Sequence, residues 1–165
     1  MIDQQLPAFL YAEDDPDDRL LAEMAHRESG VVNPLIFVSD GEEALECLRL
    51  IGRHADRTDL PRPVIVLLDL NMPGIDGRET LRIIRADPTI RRIPVVILTT
   101  STAADDIAAS YDAGANAYIV KPANFEECTR LAGLIKQFWV ESNVVPPIDL
   151  PANASTTARQ ATPAA

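Results

Sequence analysis

Short apolar runs alternate with amphipathic segments along most of the chain. Five of these runs predict buried strands, over residues 9–12, 35–39, 64–69, 95–100 and 115–120. The segments between the runs carry apolar residues at helical spacing, so each strand is expected to be followed by a helix. Strands that are apolar on both faces and separated by helices indicate a parallel sheet covered on both sides. The pattern therefore predicts an α/β fold with five parallel strands.

Capping residues mark the expected ends of the helices. Asp15 with Pro16 predicts the start of the first helix, and Asn124 with Glu127 forms a capping box for the last one. Asp76 is interpreted as the cap of the third helix. The last helix is expected to run to about residue 141 and to turn one apolar stripe toward the core: Cys128, Leu131, Leu134, Ile135 and Phe138.

These elements divide the chain into a lead over residues 1–6, one domain over residues 7–141, an arm over residues 142–150 and a tail over residues 151–165. The tail holds no aromatic residue and a single charged side chain, which predicts disorder. Around the arm, apolar residues exceed what one helix face can bury. They either fold back on the domain or form an arm that holds a second copy in a dimer: Trp139, Val144, Val145, Ile148 and Leu150.

The formal net charge of -10 argues against nucleic acid or an anionic membrane as a partner, because both are polyanions. No apolar stretch approaches the roughly 18 residues needed to span a bilayer, and the first residues do not resemble a secretory signal. Cys47 and Cys128 are interpreted as reduced intracellular thiols, with a disulfide or a metal role as the alternatives. A cytoplasmic location is therefore expected.

Reactive side chains stand where the predicted strands end. Glu13 and Asp14 follow the first strand, Asp69 ends the third, Thr99 lies late in the fourth and Lys121 follows the fifth. In an open parallel sheet, ligands bind beyond the carboxyl ends of the strands. These residues are therefore expected to meet at one edge of the sheet.

Carboxylates gathered this closely require a compensating charge. Each close pair repels by about 4 kcal/mol at an effective dielectric of 20, so either one carboxyl group stays protonated or a cation lies between them. Oxygen ligands favour Mg²⁺, for which Mn²⁺ or Ca²⁺ can substitute. Asp14, Asp69 and the backbone carbonyl of Asn71 are the predicted ligands, and Glu13 is expected to hold the waters of the metal.

With a metal in place, a free oxygen of Asp69 can attack a phosphoryl group in line and form an acyl phosphate. Lys121 is expected to neutralise the developing charge, and the Thr99 hydroxyl is expected to bond a phosphoryl oxygen. Pro122, directly after Lys121, can fix this loop, with a cis peptide bond as one option. The sequence thus predicts an aspartate that accepts phosphate.

The segments EDD, LLDLNMPGIDG, PVVILTTS and AYIVKP together resemble the receiver domain of two-component response regulators, over about residues 7–140. Thr99 lies 30 residues and Lys121 52 residues after Asp69, which is the usual spacing in that family. The resemblance implies a flavodoxin-like (βα)5 fold with strand order 2-1-3-4-5. It also implies that Asp69 accepts a phosphoryl group from a histidine kinase, after which Thr99 moves toward the phosphate and Tyr118 turns inward.

Under the same resemblance, Asn71 and Ser101 lie near the attacking water and tune dephosphorylation. The chain is then a signalling protein that catalyses its own phosphorylation and acts through protein contacts, with no external substrate. Longer segments, including DPTIRRIPVVILTTS and SYDAGANAYIVKP, are similar to small response regulators paired with bacterial and cyanobacterial phytochromes. Those proteins are often dimers through the fourth helix, fifth strand and fifth helix, so a phytochrome-type kinase and a second copy are the expected partners.

Three other interpretations stay open at this point. A Mg²⁺-dependent phosphatase of the haloacid dehalogenase type also uses a strand-end aspartate, but it needs a second aspartate at the position of Asn71. A flavodoxin-like FMN protein shares the fold, but the acidic run 13–18 would repel the FMN phosphate. A phosphate-independent interaction module is expected to have lost one of the reactive residues. Other polar residues near these motifs are interpreted as ordinary surface groups: Asp15, Asp17, Asp18, His26 and His54.

Overall fold

The computed structural model describes residues 6–57, 61 and 63–146. The strands are β1 (Ala8–Ala12), β2 (Leu35–Val38), β3 (Pro63–Leu68), β4 (Val95–Thr99) and β5 (Ala117–Val120). The helices that alternate with them are α1 (Pro16–Glu28), α2 (Gly41–Arg49), α3 (Gly77–Ala86), α4 (Ala104–Asp112) and α5 (Phe125–Lys136). Within the described part of the chain, none of these helices is long and apolar enough to cross a membrane.

The sheet is parallel throughout, and its strand order is β2-β1-β3-β4-β5. This order confirms the predicted α/β fold and its flavodoxin-like topology. The register places Ala12 beside Leu68 and Thr99 beside Val120. The strands therefore end at nearly the same level, so the residues that follow them share one edge of the sheet.

The core lies on both faces of the sheet because successive strand residues point to opposite sides. On one face, Leu10 and Leu68 belong to a cluster that includes residues of α2 and α3. On the other face, Tyr11 and Leu67 pack with residues of α1 and α5. The central strand β3 is buried from Val64 to its end, and this burial fixes the point at which the chain leaves the sheet.

The predicted helix caps are confirmed by short hydrogen bonds. The Asp15 carboxylate accepts from the backbone N–H of Asp17 at 2.8 Å, and the Asp76 carboxylate accepts from the N–H of Glu79 at 2.8 Å. At the start of α5, Asn124 Oδ1 accepts from the N–H that follows three residues later, at 2.9 Å. Each cap satisfies a backbone donor that the first turn of a helix leaves free.

The end of the last helix differs from the prediction. The chain is α-helical to Lys136 and continues as a π-helical segment over Gln137–Ser142. The wider turn changes which side chains face the core, so Phe138 is exposed whereas Trp139 packs against the core. Leu134, at the edge of the apolar stripe, is also exposed. The prediction that Phe138 and Leu134 face the core is therefore wrong.

The apolar residues near the arm do not all behave alike. Val145 packs against the same core cluster as Trp139, whereas Val144 is 90% exposed. Folding back on the domain therefore accounts for Trp139 and Val145 and not for Val144. Ile148 and Leu150 lie outside the described residues, as does the predicted tail.

His54 is buried, and its interpretation as a surface histidine is wrong. Leu50 directly follows α2 and adopts a left-handed conformation with a φ of 54°. This turn brings a short 3₁₀ helix, Gly52–His54, back toward α2. His54 Nε2 then lies 3.8 Å from Glu43 Oε1. The local sequence shows the helix but not this reversal.

Candidate functional site

Main-chain hydrogen bonds hold the reactive residues at the sheet edge. Glu13 N donates to the carbonyl of the last residue of β2 at 3.0 Å, and Asp69 N donates to that of β1 at 3.1 Å. Lys121 N donates to the carbonyl of the last residue of β4 at 2.7 Å. Each bond continues the sheet ladder one step past a strand. The positions of these side chains are therefore fixed by the sheet and not by a mobile loop.

The carboxylates of Glu13, Asp14 and Asp69 meet as the sequence predicts. Their oxygens all lie within 4.8 Å of one another. Glu13 and Asp69 are buried, whereas Asp14 is exposed at the mouth of the cluster. A set of oxygen atoms this close fits the ligand preferences of a hard divalent cation. The three carboxylates thus fit a divalent cation.

Glu13 accepts hydrogen bonds from two donors of its own segment, in addition to Lys121. Tyr11 Oη donates to Glu13 Oε2 at 3.1 Å, and Asp15 N donates to Glu13 Oε1 at 3.1 Å. Glu13 is only 1% exposed, and this burial raises the pKa of its carboxyl group above the ordinary value even though Lys121 acts in the opposite direction. Burial, followed by the charge of Glu13, also raises the pKa of Tyr11, so Tyr11 remains a neutral donor. No motif in the sequence marks Tyr11 as part of the site.

Lys121 is shared between several carboxylates. Its ammonium group donates to Glu13 at 2.5 Å and to Asp18 and Asp69 at 2.7 Å each. Burial alone would lower the pKa of Lys121, but these hydrogen bonds outweigh it and raise the pKa above its usual range. The lysine is therefore fully charged at neutral pH. Among the described residues no peptide bond is cis, so the suggested cis bond before Pro122 is wrong.

Asp18 is part of the site, and its interpretation as a solvated helix start is wrong. Asp15 and Asp17 remain exposed as expected, but the Asp18 carboxylate turns toward Lys121. Asp18 lies in the first turn of α1, which begins at Pro16, and this turn brings its carboxylate to the ammonium group of Lys121. The sequence alone does not distinguish Asp18 from the other acids in its run.

The loop after Asp69 is closed by a tight approach of α3. Asn71 N donates to Asp69 Oδ1 at 3.3 Å, and Gly77 N donates to Leu70 O at 3.0 Å. A side chain at Gly77 would collide with the backbone carbonyl of Asp69. Glycine at this position thus lets α3 begin directly against the end of β3. Asp76 caps the helix as predicted and does not join the cluster of carboxylates.

Thr99, Ser101 and Tyr118 lie together beside the cluster. Thr99 is fully buried, and its hydroxyl has no hydrogen-bond partner in the part of the chain that the structure describes. Tyr118 Oη donates to the carbonyl oxygen of Ser101 at 3.0 Å. The Ser101 hydroxyl donates to Asp106 at 2.6 Å. A buried hydroxyl without a partner costs free energy in the folded state, which marks Thr99 as a group that another partner can satisfy.

Comparison with known proteins identifies the family. The model of the response regulator receiver domain matches residues 9–132. Over 148 residues the chain is 37% identical to response regulator Rcp1 of Synechocystis sp., covering 88% of this chain and 99% of Rcp1. The structure of the Mn²⁺-bound form of Rcp1 superposes with a TM-score of 0.74, covering 86% of this chain and 99% of that one.

Two further solved structures are similar over nearly their full lengths. A response regulator in red-light signalling of R. palustris is 42% identical with a TM-score of 0.81, and the phosphorylated cyanobacterial phytochrome response regulator RcpA is 40% identical with a TM-score of 0.77. Each comparison covers 86% of this chain and 99% of the other. This chain belongs to the response regulator receiver domain family and is a homologue of phytochrome response regulators.

Proposed function

We propose that Asp69 accepts a phosphoryl group from a histidine kinase and that the chain then signals through contacts with other proteins. The observation that carries this proposal is the placement of Asp69 at the end of the central strand. One of its oxygens lies 2.7 Å from the ammonium group of Lys121, and it shares an acidic cluster with Glu13 and Asp14. This set provides a nucleophile, a cation and metal ligands at one point.

The metal in this reaction is proposed to be Mg²⁺, with Mn²⁺ or Ca²⁺ able to substitute in a structure. Asp14, Asp69 and the carbonyl of Asn71 would hold the ion, and Glu13 would hold its waters. The Mn²⁺-bound form of Rcp1 supports a divalent ion for this chain. When bound, such an ion offsets the negative charge that the phosphoryl group brings to the carboxylates.

The chemical step requires a free carboxylate oxygen on Asp69. That oxygen forms a bond to phosphorus while the bond between phosphorus and the kinase histidine nitrogen breaks, and the electron pair of the broken bond stays on the nitrogen. Lys121 is near enough to Asp69 to donate to a phosphoryl oxygen as charge shifts. In this scheme the protein catalyses its own modification and turns over no external substrate.

The response to phosphorylation is proposed to begin at Thr99. Its hydroxyl, which has no hydrogen-bond partner among the described residues, can donate to the phosphoryl group. The movement then passes to Tyr118 through Ser101, whose carbonyl accepts from Tyr118 Oη. Asn71 and Ser101 are proposed to influence the water that later hydrolyses the acyl phosphate. The altered surface is proposed to be the one formed by α4, β5 and α5.

Replacing Thr99 with valine is expected to keep the stability of the fold and to abolish the response to phosphorylation. The free energy of unfolding should stay unchanged or rise by about 1 kcal/mol, since the substitution removes a buried hydroxyl that has no partner in the described part of the chain. The gain in affinity for binding partners on phosphorylation should be lost. Urea denaturation and partner binding with and without phosphate check the two halves. A variant that loses stability and keeps the response would contradict this role for Thr99.

The proposed phosphate donor is a histidine kinase of the phytochrome type, because the solved structures similar to this chain include phytochrome and bacteriophytochrome response regulators. The test mixes the protein with a radiolabelled phytochrome kinase and, separately, with labelled kinases that sense other signals. Label should move rapidly from the phytochrome kinase to wild type and not to Asp69→Asn. Label transferred only from unrelated kinases would reject the phytochrome partner, and label surviving Asp69→Asn would reject the acceptor.

A second copy of the chain is the other proposed partner. Val120, Phe138 and Val144 are exposed apolar side chains on or near β5 and α5, and such groups are commonly covered in assemblies. Light scattering should give the molar mass of a dimer. Repeating the measurement with beryllofluoride, which mimics the phosphoryl group on an aspartate, shows whether phosphorylation tightens or loosens the dimer. A monomer mass at every protein concentration would reject this proposal.

Transfer of the phosphoryl group to Asp69 is proposed to take place in the cytoplasm, with neither nucleic acid nor membrane as a partner of the chain. The net charge of -10 supports this choice because it disfavours polyanionic partners. Cys47 and Cys128 are free thiols, in keeping with a reducing compartment.

A further inference from the structure

The loop that joins β4 to α4, residues 100–103, is tied down through Ser101. The Ser101 hydroxyl donates to Asp106 Oδ2 at 2.6 Å and accepts from Ala103 N at 3.3 Å. The Ser101 carbonyl accepts from Tyr118 Oη at 3.0 Å. This loop follows Thr99 directly, so a shift of the Thr99 backbone toward Asp69 would pull against these contacts of Ser101.

Asp106 is in turn held by a cation from a different helix. Arg78 donates to Asp106 Oδ1 at 2.7 Å, so the two carboxylate oxygens serve Arg78 and Ser101 separately. The Arg78 and Asp106 side chains are 32% and 29% exposed. The nearby ion pair between Arg82 and Glu79 on α3 is more open to solvent, at 58% and 50%. Solvent therefore screens the Arg78–Asp106 pair less than an ordinary surface pair.

The ion pair between Arg78 and Asp106 links two helices because Arg78 lies at the start of α3. Arg78 follows Gly77, which lies against the backbone of Asp69, so the pair connects the start of α3 with the first turn of α4. The Ser101 hydroxyl, followed by Arg78, lowers the pKa of Asp106, and the carboxylate is charged at neutral pH. A chain of contacts thus runs from the segment after Asp69 to the loop after Thr99.

We propose that Arg78 and Asp106 form a latch that holds Ser101 in place and thereby sets how readily Thr99 can reach a phosphoryl group on Asp69. The inference rests on the proposed phosphorylation of Asp69 and adds two positioning residues to it. Neither Arg78 nor Asp106 touches the reacting atoms. Both act through Ser101 on the loop that carries the response.

The latch works by shifting the balance between two arrangements of the loop. In the arrangement described here, Ser101 is engaged by Asp106, and no described residue is a hydrogen-bond partner of the Thr99 hydroxyl. In the other, Thr99 donates to the phosphoryl group and Ser101 has moved away from Asp106. A ligand that binds only the second arrangement has a lower observed affinity when only a small fraction of the molecules adopts that arrangement. Removing the latch should therefore strengthen phosphoryl-mimic binding.

The test measures the affinity of beryllofluoride, a mimic of the phosphoryl group, in the presence of Mg²⁺. Arg78→Ala and Asp106→Ala should each bind it about three- to tenfold more tightly than wild type, the range expected for losing one ordinary intramolecular hydrogen bond. Their initial rates of phosphorylation by phosphoramidate should rise by a similar factor. Arg82→Ala, which removes an exposed ion pair on the same helix, is the matched control and should equal wild type in both measurements.

Two more variants separate positioning from simple damage. Arg78→Lys keeps the charge and should return the affinity to within about twofold of wild type. The double variant of Arg78→Ala with Asp106→Ala should bind no more tightly than Asp106→Ala alone, since both changes break one chain of contacts. A merely structural role would lower the melting temperature and leave beryllofluoride affinity unchanged or weaker, and that result would overturn the latch.

The failure of the latch and the failure of the proposed function give different results. If wild type binds beryllofluoride and is phosphorylated, but Arg78→Ala and Asp106→Ala match Arg82→Ala, the latch alone is rejected. If wild type neither binds beryllofluoride nor accepts phosphate, the proposed function is rejected and the latch with it.

Discussion

Replacing Lys121 with methionine is expected to lower the free energy of unfolding by about 3 kcal/mol in metal-free buffer. The Lys121 side chain is only 12% exposed, and it compensates the buried carboxylates of Glu13 and Asp69. Without its charge those groups repel each other in a site from which water is largely excluded. Urea denaturation in the presence of EDTA measures this loss.

Addition of Mg²⁺ should restore much of the stability that Lys121→Met loses, because a divalent ion can compensate the same carboxylates. Phosphorylation should stay slow by about 100-fold even with Mg²⁺, since the group that donates to the phosphoryl oxygen is gone. Lys136→Met is a matched control that removes only a surface ion pair with Glu141 and should cost less than about 1 kcal/mol. Equal losses in the two variants, with no effect of Mg²⁺, would contradict the described role of Lys121.

Gly77→Ala is expected to lower the free energy of unfolding by about 3 kcal/mol, the upper part of the range for overpacking a tight site. The added methyl group would meet the backbone carbonyl of Asp69, which is held by the sheet and cannot move aside as a flexible side chain can. The start of α3 would have to move away from β3. Affinity for Mg²⁺ should fall as well, because the displaced loop carries Asn71. Urea denaturation and Mg²⁺ titration check the two effects.

Gly133→Ala provides the control for that substitution. Gly133 lies within α5, and among the described residues nothing would come within 4 Å of an added Cβ. Alanine there should raise the free energy of unfolding by about 0.5–1 kcal/mol, because it restricts the unfolded chain and favours the helix. If Gly77→Ala were as stable as Gly133→Ala, the close approach of α3 to Asp69 would not be a constraint.

The fold and the meeting of the reactive residues could be predicted because both depend on strongly patterned segments. Apolar runs such as residues 64–68 leave little choice but a buried strand, and parallel strands bring Asp14, Asp69 and Lys121 to one edge. The residue types at those ends then limit the chemistry. Family membership agrees with this interpretation and disfavours the phosphatase and FMN alternatives.

Features that depend on side-chain direction could not be predicted in the same way. Asp18 is one of several acids in a row, and only the start of α1 at Pro16 decides that its carboxylate reaches Lys121. Trp139 faces the core instead of Phe138 because the chain forms a π-helical turn, and this turn has no clear signal in the sequence. The hydrogen bond between Ser101 and Asp106 could not be predicted either, because Asp106 resembles any other acid in the first turn of a helix.

Asp69 is expected to carry the phosphate after reaction with phosphoramidate and Mg²⁺, and locating that phosphate shows which residue is the acceptor. Reduction of the acyl phosphate with borohydride, followed by peptide mass spectrometry, identifies the modified residue. Asp69 should be modified in wild type and in Asp76→Asn, which alters only the helix cap in the same loop, and modification should be lost in EDTA and in Asp69→Asn. Modification of any other residue in wild type would contradict the acceptor role of Asp69. So would an Asp69→Asn variant that is modified to the same extent as wild type.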